Sequence, residues 1–287
     1  MRRSGEVSML LLVGGLVCGA AWKWFAGWRR EKYWGGLDNV VGFSAKLIAA
    51  CRANESARSD AVFHDPMAEV LAGQLAMARV QRRQDAMGKA LSTGTRSLDR
   101  LTLRTLLFDH GVLLATGGQL KEGQKLPKMY KQLNTLCQQV VLLGAGMDTR
   151  AWRIDLPKGI RWFEVDQADV LAAKRTIMTS LRASFATSDK GTADSSVYPL
   201  RCAAYTGVSA DLQVAGWGSE LVNAGFDPLL STVWVLEGLL YYLRPDTVPV
   251  LLEEMAQLSA PGSCMLASVV GQSVIDNSVK EKTAKKA

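Results

Sequence analysis

Four short apolar runs, at 140–143 (VVLL), 162–165 (WFEV), 233–236 (VWVL) and 265–270 (MLASVV), punctuate the second half of the chain. Each predicts a strand buried on both faces, and helical spacing of leucines and alanines at 170–181 and 247–258 predicts helices between them. Strand alternating with helix implies a parallel sheet covered on both sides. Before residue 138 the period is helical instead. An amphipathic segment at 44–53 (SAKLIAACRA) is followed by the polar turn NESARSDAVFHDP. There Asp65 and Pro66 supply an N-cap acid and a first-turn proline for a helix beginning MAEVLAG. Leucines at 98–115 predict a further helix, and 127–137 another. The polar stretch 183–196 reads as a loop inserted in the sheet region, and no internal repeat is evident.

The chain has 287 residues, 48% of them hydrophobic and 21% charged, which suits a folded core and argues against disorder. Its net charge of +7 is spread along the chain and concentrates only at the two ends, so no nucleic-acid partner is expected. Cys18, Cys51, Cys137, Cys202 and Cys264 are far apart and form no CxxC pair, which points to reduced, mostly buried thiols. With His64 and His110 alone, neither a histidine metal site nor a Ser-His-Asp triad is expected.

Arg2 and Arg3 precede an apolar run at 9–21, and Trp22, Trp24 and Trp28 follow with Lys23, Arg29 and Arg30. Tryptophans and basic residues at the end of an apolar helix suit a membrane interface. Residues 1–35 are therefore expected to be a hydrophobic anchor, with membrane association through 9–28; a cleaved signal, an organelle-targeting peptide and a buried helix are the alternatives. Without such a segment the expected location is cytoplasmic. The lysine-rich end at 280–287 reads as a solvated tail.

Candidate chemistry begins where the first strand breaks into Gly144-Ala145-Gly146. In open parallel sheets ligands bind beyond the carboxyl ends of the strands, and glycines after the first strand let a ligand approach the backbone. About 20 residues on, WFEVD places Asp166 at the end of the next strand, where a carboxylate accepts the hydroxyls of a ribose. A dinucleotide loop would carry a third glycine. This one has Thr149 in that place, with Asp148 just before it, and an acid beside a pyrophosphate is unfavourable. S-adenosylmethionine is cationic at sulfur and nitrogen and has no phosphate, so an acidic two-glycine loop suits it better.

LGAGMDTRAWR, FEVDQADVLAAK, SADLQVAGW and GFDPLLSTVWVLEGLLYYLRPD resemble, in order, the motifs of the leucine carboxyl methyltransferase family and its bacterial members. AACRANESARSDAVFHDPMAEVLAG and RTLLFDH resemble the N-terminal part of that family, so the likeness runs over 44–270. It implies an α/β fold of the class I methyltransferase, Rossmann-like type, with a helical cap at 36–137 and a cofactor domain at 138–287. It further implies that Gly144 and Gly146 pass under the methionine part of S-adenosyl-L-methionine and that Asp166 binds the ribose. Asp211 would meet the adenine amino group, Leu212 would offer its backbone N–H, and Glu237 would line the site. No metal is implied, and no catalytic side chain is assigned.

Asp148, Thr149 and Arg150 are expected to open a short helix after the loop, with Arg150 and Arg153 holding carboxylates such as Glu164. Two departures from the family stand out. The arginine expected to grip the cofactor carboxylate is Leu106 here, leaving Arg104 as its substitute, and His110 replaces a frequent acid. The second is at the C-terminus, where the family continues through a helix and two strands that the 17 residues after 270 leave no room for; the sheet is expected to look truncated. The expected activity is O-methylation of a small-molecule or protein carboxylate or hydroxyl, with Tyr241 and Tyr242 either at the entrance or packed in the core. The alternative is a membrane-tethered protein that keeps the fold as a non-catalytic binding or scaffold module.

Overall fold

A computed structural model describes residues 40–88, 99–120, 130, 133, 135–186 and 195–269. The chain opens with α1 (Val40–Ser56), α2 (Ala68–Gly88) and α3 (Arg100–Ala115). It then alternates β1 (Gln139–Leu143), α4 (Arg150–Arg153), β2 (Arg161–Asp166), α5 (Ala168–Ser180), β3 (Ala204–Ser209), α6 (Trp217–Asn223), β4 (Thr232–Leu236), α7 (Thr247–Gln257) and β5 (Cys264–Ala267). The five strands form one sheet in the order β3-β2-β1-β4-β5, every pairing parallel. The α/β, Rossmann-like class read from the sequence is the one observed.

Side chains alternate between the faces of a strand, and the two faces have different covers. Val140, Leu142, Val233, Val235 and Leu266 share one cluster with Phe43 and Leu47 of α1, Leu71 of α2 and Phe108 and Val112 of α3. Val141, Leu143, Trp234, Leu236 and Met265 face the other way, onto Trp217 and Leu221 of α6 and Leu251 and Met255 of α7. The N-terminal helices thus roof one face of the sheet and bury its apolar surface. The order in which strands are added reverses between β1 and β4, which opens a crevice beyond their carboxyl ends.

The observed helices differ from the predicted ones by a few residues at their ends. α2 breaks at Gly73, where φ is +72°, the glycine at which the predicted MAEVLAG segment ends. Asp99 caps α3, its carboxylate accepting from the N–H groups of Leu101 and Thr102. Residues 135–137 are not helical, contrary to the helix expected at 127–137, most of which lies outside the described residues. β3 and α6 were not anticipated. β5 forms the edge of the described sheet, and the segment read as truncated, 270–287, lies outside the described residues. Cys51, Cys137, Cys202 and Cys264 are buried free thiols.

The membrane expectation is corrected. Among the described residues no helix is long and apolar enough to cross a membrane. The segment 9–28 that motivated an anchored or organelle-targeted chain lies outside those residues, and the membrane-associated partner and location are withdrawn with it.

Candidate cofactor cleft

Four strand ends converge on one cleft of about 1170 Å3, its open mouth included. Gly144 follows β1 directly, Asp166 ends β2, Asp211 and Leu212 lie just past β3, and Glu237 follows β4. Gly146 and, from α3, Arg104 complete the set; all seven residues singled out from the sequence line this cleft. The roof contributes Ser44, Ala45, Ile48 and Arg52 of α1, and Tyr241 and Tyr242 close the side beyond β4.

The glycines are required by geometry. Gly144 has φ +68° and Gly146 φ +51°, both in the left-handed region where a side chain is strained. A Cβ on Gly146 would stand 2.9 Å from the Cβ of Ala45, so the loop runs tight under α1. The N–H of Gly146 donates to Asp166 Oδ2 at 2.7 Å and the N–H of Gln167 donates to Oδ1 at 2.7 Å. Asp166 therefore fixes the loop and still presents acceptor capacity to the cleft. Burial raises its carboxyl above the usual range, an effect those two N–H donors reduce. Asp211 Oδ1 accepts from the N–H of Gln213 at 2.9 Å, so it caps its own turn and not a helix.

Behind the loop lies a ladder of alternating charges. Arg52 Nε pairs with Asp65 at 2.8 Å; Asp65 also meets Arg153 at 3.8 Å and accepts from Thr149 Oγ1 at 2.6 Å. Arg153 grips Asp109 through Nη1 at 2.5 Å and Nη2 at 2.7 Å. Asp109 accepts from Arg150 Nε at 2.7 Å, and Arg150 extends to Asp148 at 2.5 Å and to Glu237 Oε2 at 2.7 Å. Glu237 Oε1 accepts from Arg104 Nε at 2.9 Å, and Arg104 Nη1 donates to the Tyr241 hydroxyl at 3.3 Å. Burial alone would raise the carboxyls of Asp65, Asp148 and Glu237. Burial is the largest single effect at each, but Arg150 with Lys174 and Arg153 at Asp148, Arg150 with Arg104 at Glu237, and Arg52 and Arg153 with the Thr149 hydroxyl at Asp65 together outweigh it, and all three stay below the usual carboxylate range.

Several sequence expectations are sharpened here. Asp65 does accept from the Met67 N–H as a helix-start acid, but it is also a fully buried ion-pair partner. Arg150 and Arg153 hold Asp109, Asp148, Asp65 and Glu237; Glu164 is held by Lys174 Nζ at 2.6 Å and the Tyr205 hydroxyl at 2.8 Å. Glu164 projects from β2 beneath α5, out of the two arginines' reach. Leu106 does not line the cleft, whereas Arg104 does. Residues two apart on a helix point about 200° away from each other, so only one of them faces the site. Sequence reasoning missed Arg52 as a wall residue, because a lone arginine in a helix carries no local signal.

The family model described as "Leucine carboxyl methyltransferase" matches residues 45–256. The chain belongs to the leucine carboxyl methyltransferase family. Relatives bearing the name "Putative S-adenosyl-L-methionine-dependent methyltransferase" come from several bacteria. One from Mycolicibacterium gilvum is 33% identical over 231 residues, covering 79% of this chain and 66% of its own. One from Parafrankia sp. is 34% identical over 223 residues, covering 78% of this chain and 61% of its own. A third, from Saccharopolyspora erythraea, is 34% identical and covered over 65% of its length. This leucine carboxyl methyltransferase family member thus spans slightly under two thirds of the length of these relatives.

Proposed function

We propose that the protein is an S-adenosyl-L-methionine-dependent methyltransferase that transfers a methyl group in line to the oxygen of a small-molecule or protein carboxylate or hydroxyl. The observation that carries this reading is the convergence of Gly144, Asp166, Asp211 and Glu237 at the ends of four adjacent strands on one cleft. The chemistry of the lining fits the cofactor. Its acids suit a cationic ligand, and Asp148 stands where a pyrophosphate would be repelled.

In this reading Asp166 accepts the ribose hydroxyls, Asp211 and the Leu212 N–H read the adenine, and Gly144 and Gly146 let the methionine part lie against the backbone. Arg104 takes the carboxylate end. When bound, the cofactor supplies a methyl group already activated by its positive sulfur, so the chain's task is alignment. Ile48, Tyr241, Tyr242 and Leu243 form the wall against which an acceptor is oriented and water excluded. An acceptor carboxylate is ionised at neutral pH and needs no general base, whereas a hydroxyl must also release its proton. The non-catalytic alternative rests on Leu106 and on the short C-terminus; Arg104 in the cleft answers the first, and 270–287 lies outside the described residues.

Equilibrium binding of methyl-labelled cofactor, followed by incubation with cell extract, tests the proposal. Saturable binding that Asp166→Ala abolishes, and label in one product that alkali releases if it is an ester, are expected. No binding to folded protein, or equal binding by Asp166→Ala, would sink it.

A further inference from the structure

Asp109 does not itself line the cleft; it is buried on α3 behind Arg150, which does. Nonetheless it is the junction of the charge ladder. Its Oδ1 accepts from both Arg150 Nε and Arg153 Nη2 at 2.7 Å, and its Oδ2 accepts from Arg153 Nη1 at 2.5 Å. Arg150 is the only residue in the ladder that bridges Asp109 to Glu237, because its guanidinium spends separate nitrogens on Asp109, Asp148 and Glu237. Both oxygens of Glu237 are in turn committed, one to Arg150 and one to Arg104. Arg150 and Glu237 also line the cleft, and Arg104 is the far end of this chain.

We propose that Asp109 is a positioning residue for the carboxylate end of the cofactor, acting through Arg150 and Glu237 on Arg104. This rests on the cofactor reading above. A planar, five-donor guanidinium holds its neighbours in fixed directions, so the place of Arg150 sets the place of the Glu237 carboxylate. That carboxylate holds Arg104 by Nε and so fixes which way its outer nitrogens point. Replacing Asp109 by asparagine keeps the shape and removes the charge. It sets an amide N–H2 against donors of Arg153 or Arg150, and leaves two almost fully buried guanidinium groups short of one anion. Arg150 then depends more heavily on Asp148 and Glu237, and Glu237 is drawn from Arg104. The adenine and ribose contacts, at the ends of β2 and β3, lie outside this chain of bonds.

The test compares two probes that share adenosine and differ at the carboxylate end. S-adenosylhomocysteine carries the amino-acid portion and methylthioadenosine lacks it. Both are titrated calorimetrically into the full-length protein. Asp109→Asn should weaken S-adenosylhomocysteine about tenfold, the scale of one charge-assisted hydrogen bond, and change methylthioadenosine less than about twofold. In an Arg104→Gln background the added Asp109→Asn should change neither probe by more than about twofold, since the residue through which it acts is gone. Equal weakening of both probes, or the same tenfold effect without Arg104, overturns the proposal and leaves the cofactor reading standing. If the unmodified protein binds neither probe, the cofactor reading fails first and takes this one with it. Should Asp109→Asn not fold, Arg150→Lys replaces it, keeping the charge without the reach to span Asp109 and Glu237. The same selective loss is expected, and equal loss of both probes again overturns the idea.

Discussion

Replacing Gly146 by alanine probes the closest approach between loop and roof. Two costs add. At φ +51° an L-residue sits in the left-handed region, a penalty of about 1–2 kcal/mol. The new Cβ also stands 2.9 Å from the Cβ of Ala45, well inside contact distance. Overpacking of that kind costs about 1–3 kcal/mol, so Gly146→Ala should lose about 2–5 kcal/mol of stability. The contributions separate with Ala45→Gly, which removes the clashing methyl and costs about 1 kcal/mol as a helix glycine. If the clash is real, the double variant is about 1–3 kcal/mol more stable than the sum of the single effects predicts, because only the backbone strain persists. Urea unfolding of the four proteins measures the cycle. Additivity within about 0.5 kcal/mol would refute the tight approach of loop to α1.

Two further outcomes concern buried titrating groups. Lys174→Met removes the partner 2.6 Å from the fully buried Glu164, and breaking such a pair costs about 3–5 kcal/mol at neutral pH. Burial already raises the Glu164 carboxyl, and Lys174 opposes that rise. A folded-state value above the unfolded one makes the ionised group destabilising, so the variant's deficit should shrink as pH falls and Glu164 protonates; a deficit independent of pH in denaturant unfolding would contradict this. His110 has neither ring nitrogen hydrogen-bonded among the described residues, and burial holds it below the ordinary histidine value, against a smaller opposing effect of Asp109. The unfolded chain therefore takes up this proton first, and stability falls as pH drops through about 6.5. His110→Leu should flatten that slope and add about 1–2 kcal/mol, since an unpaired polar group is removed; an unchanged slope in thermal unfolding between pH 5 and 8 would count against it.

The elements legible in the sequence are those whose pattern is local. β1, β2, β4 and β5 sit inside the sheet or beneath a helix and read as apolar runs. β3 (AYTGVS) lies at the sheet edge with one fully buried residue among six, so it carries no such run. The cleft residues at strand ends follow from the architecture, and Gly144, Gly146 and Asp166 could be placed once the first strand was found. The ladder could not. Its partners are joined across 133 residues in Arg104 and Glu237 and across 41 in Arg150 and Asp109, so although Arg150 and Arg153 were expected to hold carboxylates, nothing local names which ones. Asp65 illustrates the difficulty: its helix-start role is written next to it in Pro66, while its ion-pair role depends on Arg52 and Arg153 brought together by folding.

The roof over the sheet bears on how the chain can be divided. A boundary at 137/138 looks natural along the sequence, separating helices from alternating strands. A fragment beginning there would expose Val140, Leu142, Val233, Val235 and Leu266 to water and leave Arg150 and Arg153 without Asp109 and Asp65. The strands and their N-terminal helices share one apolar face and one cleft, which is complete only after residues as distant as Arg52 and Glu237 have met.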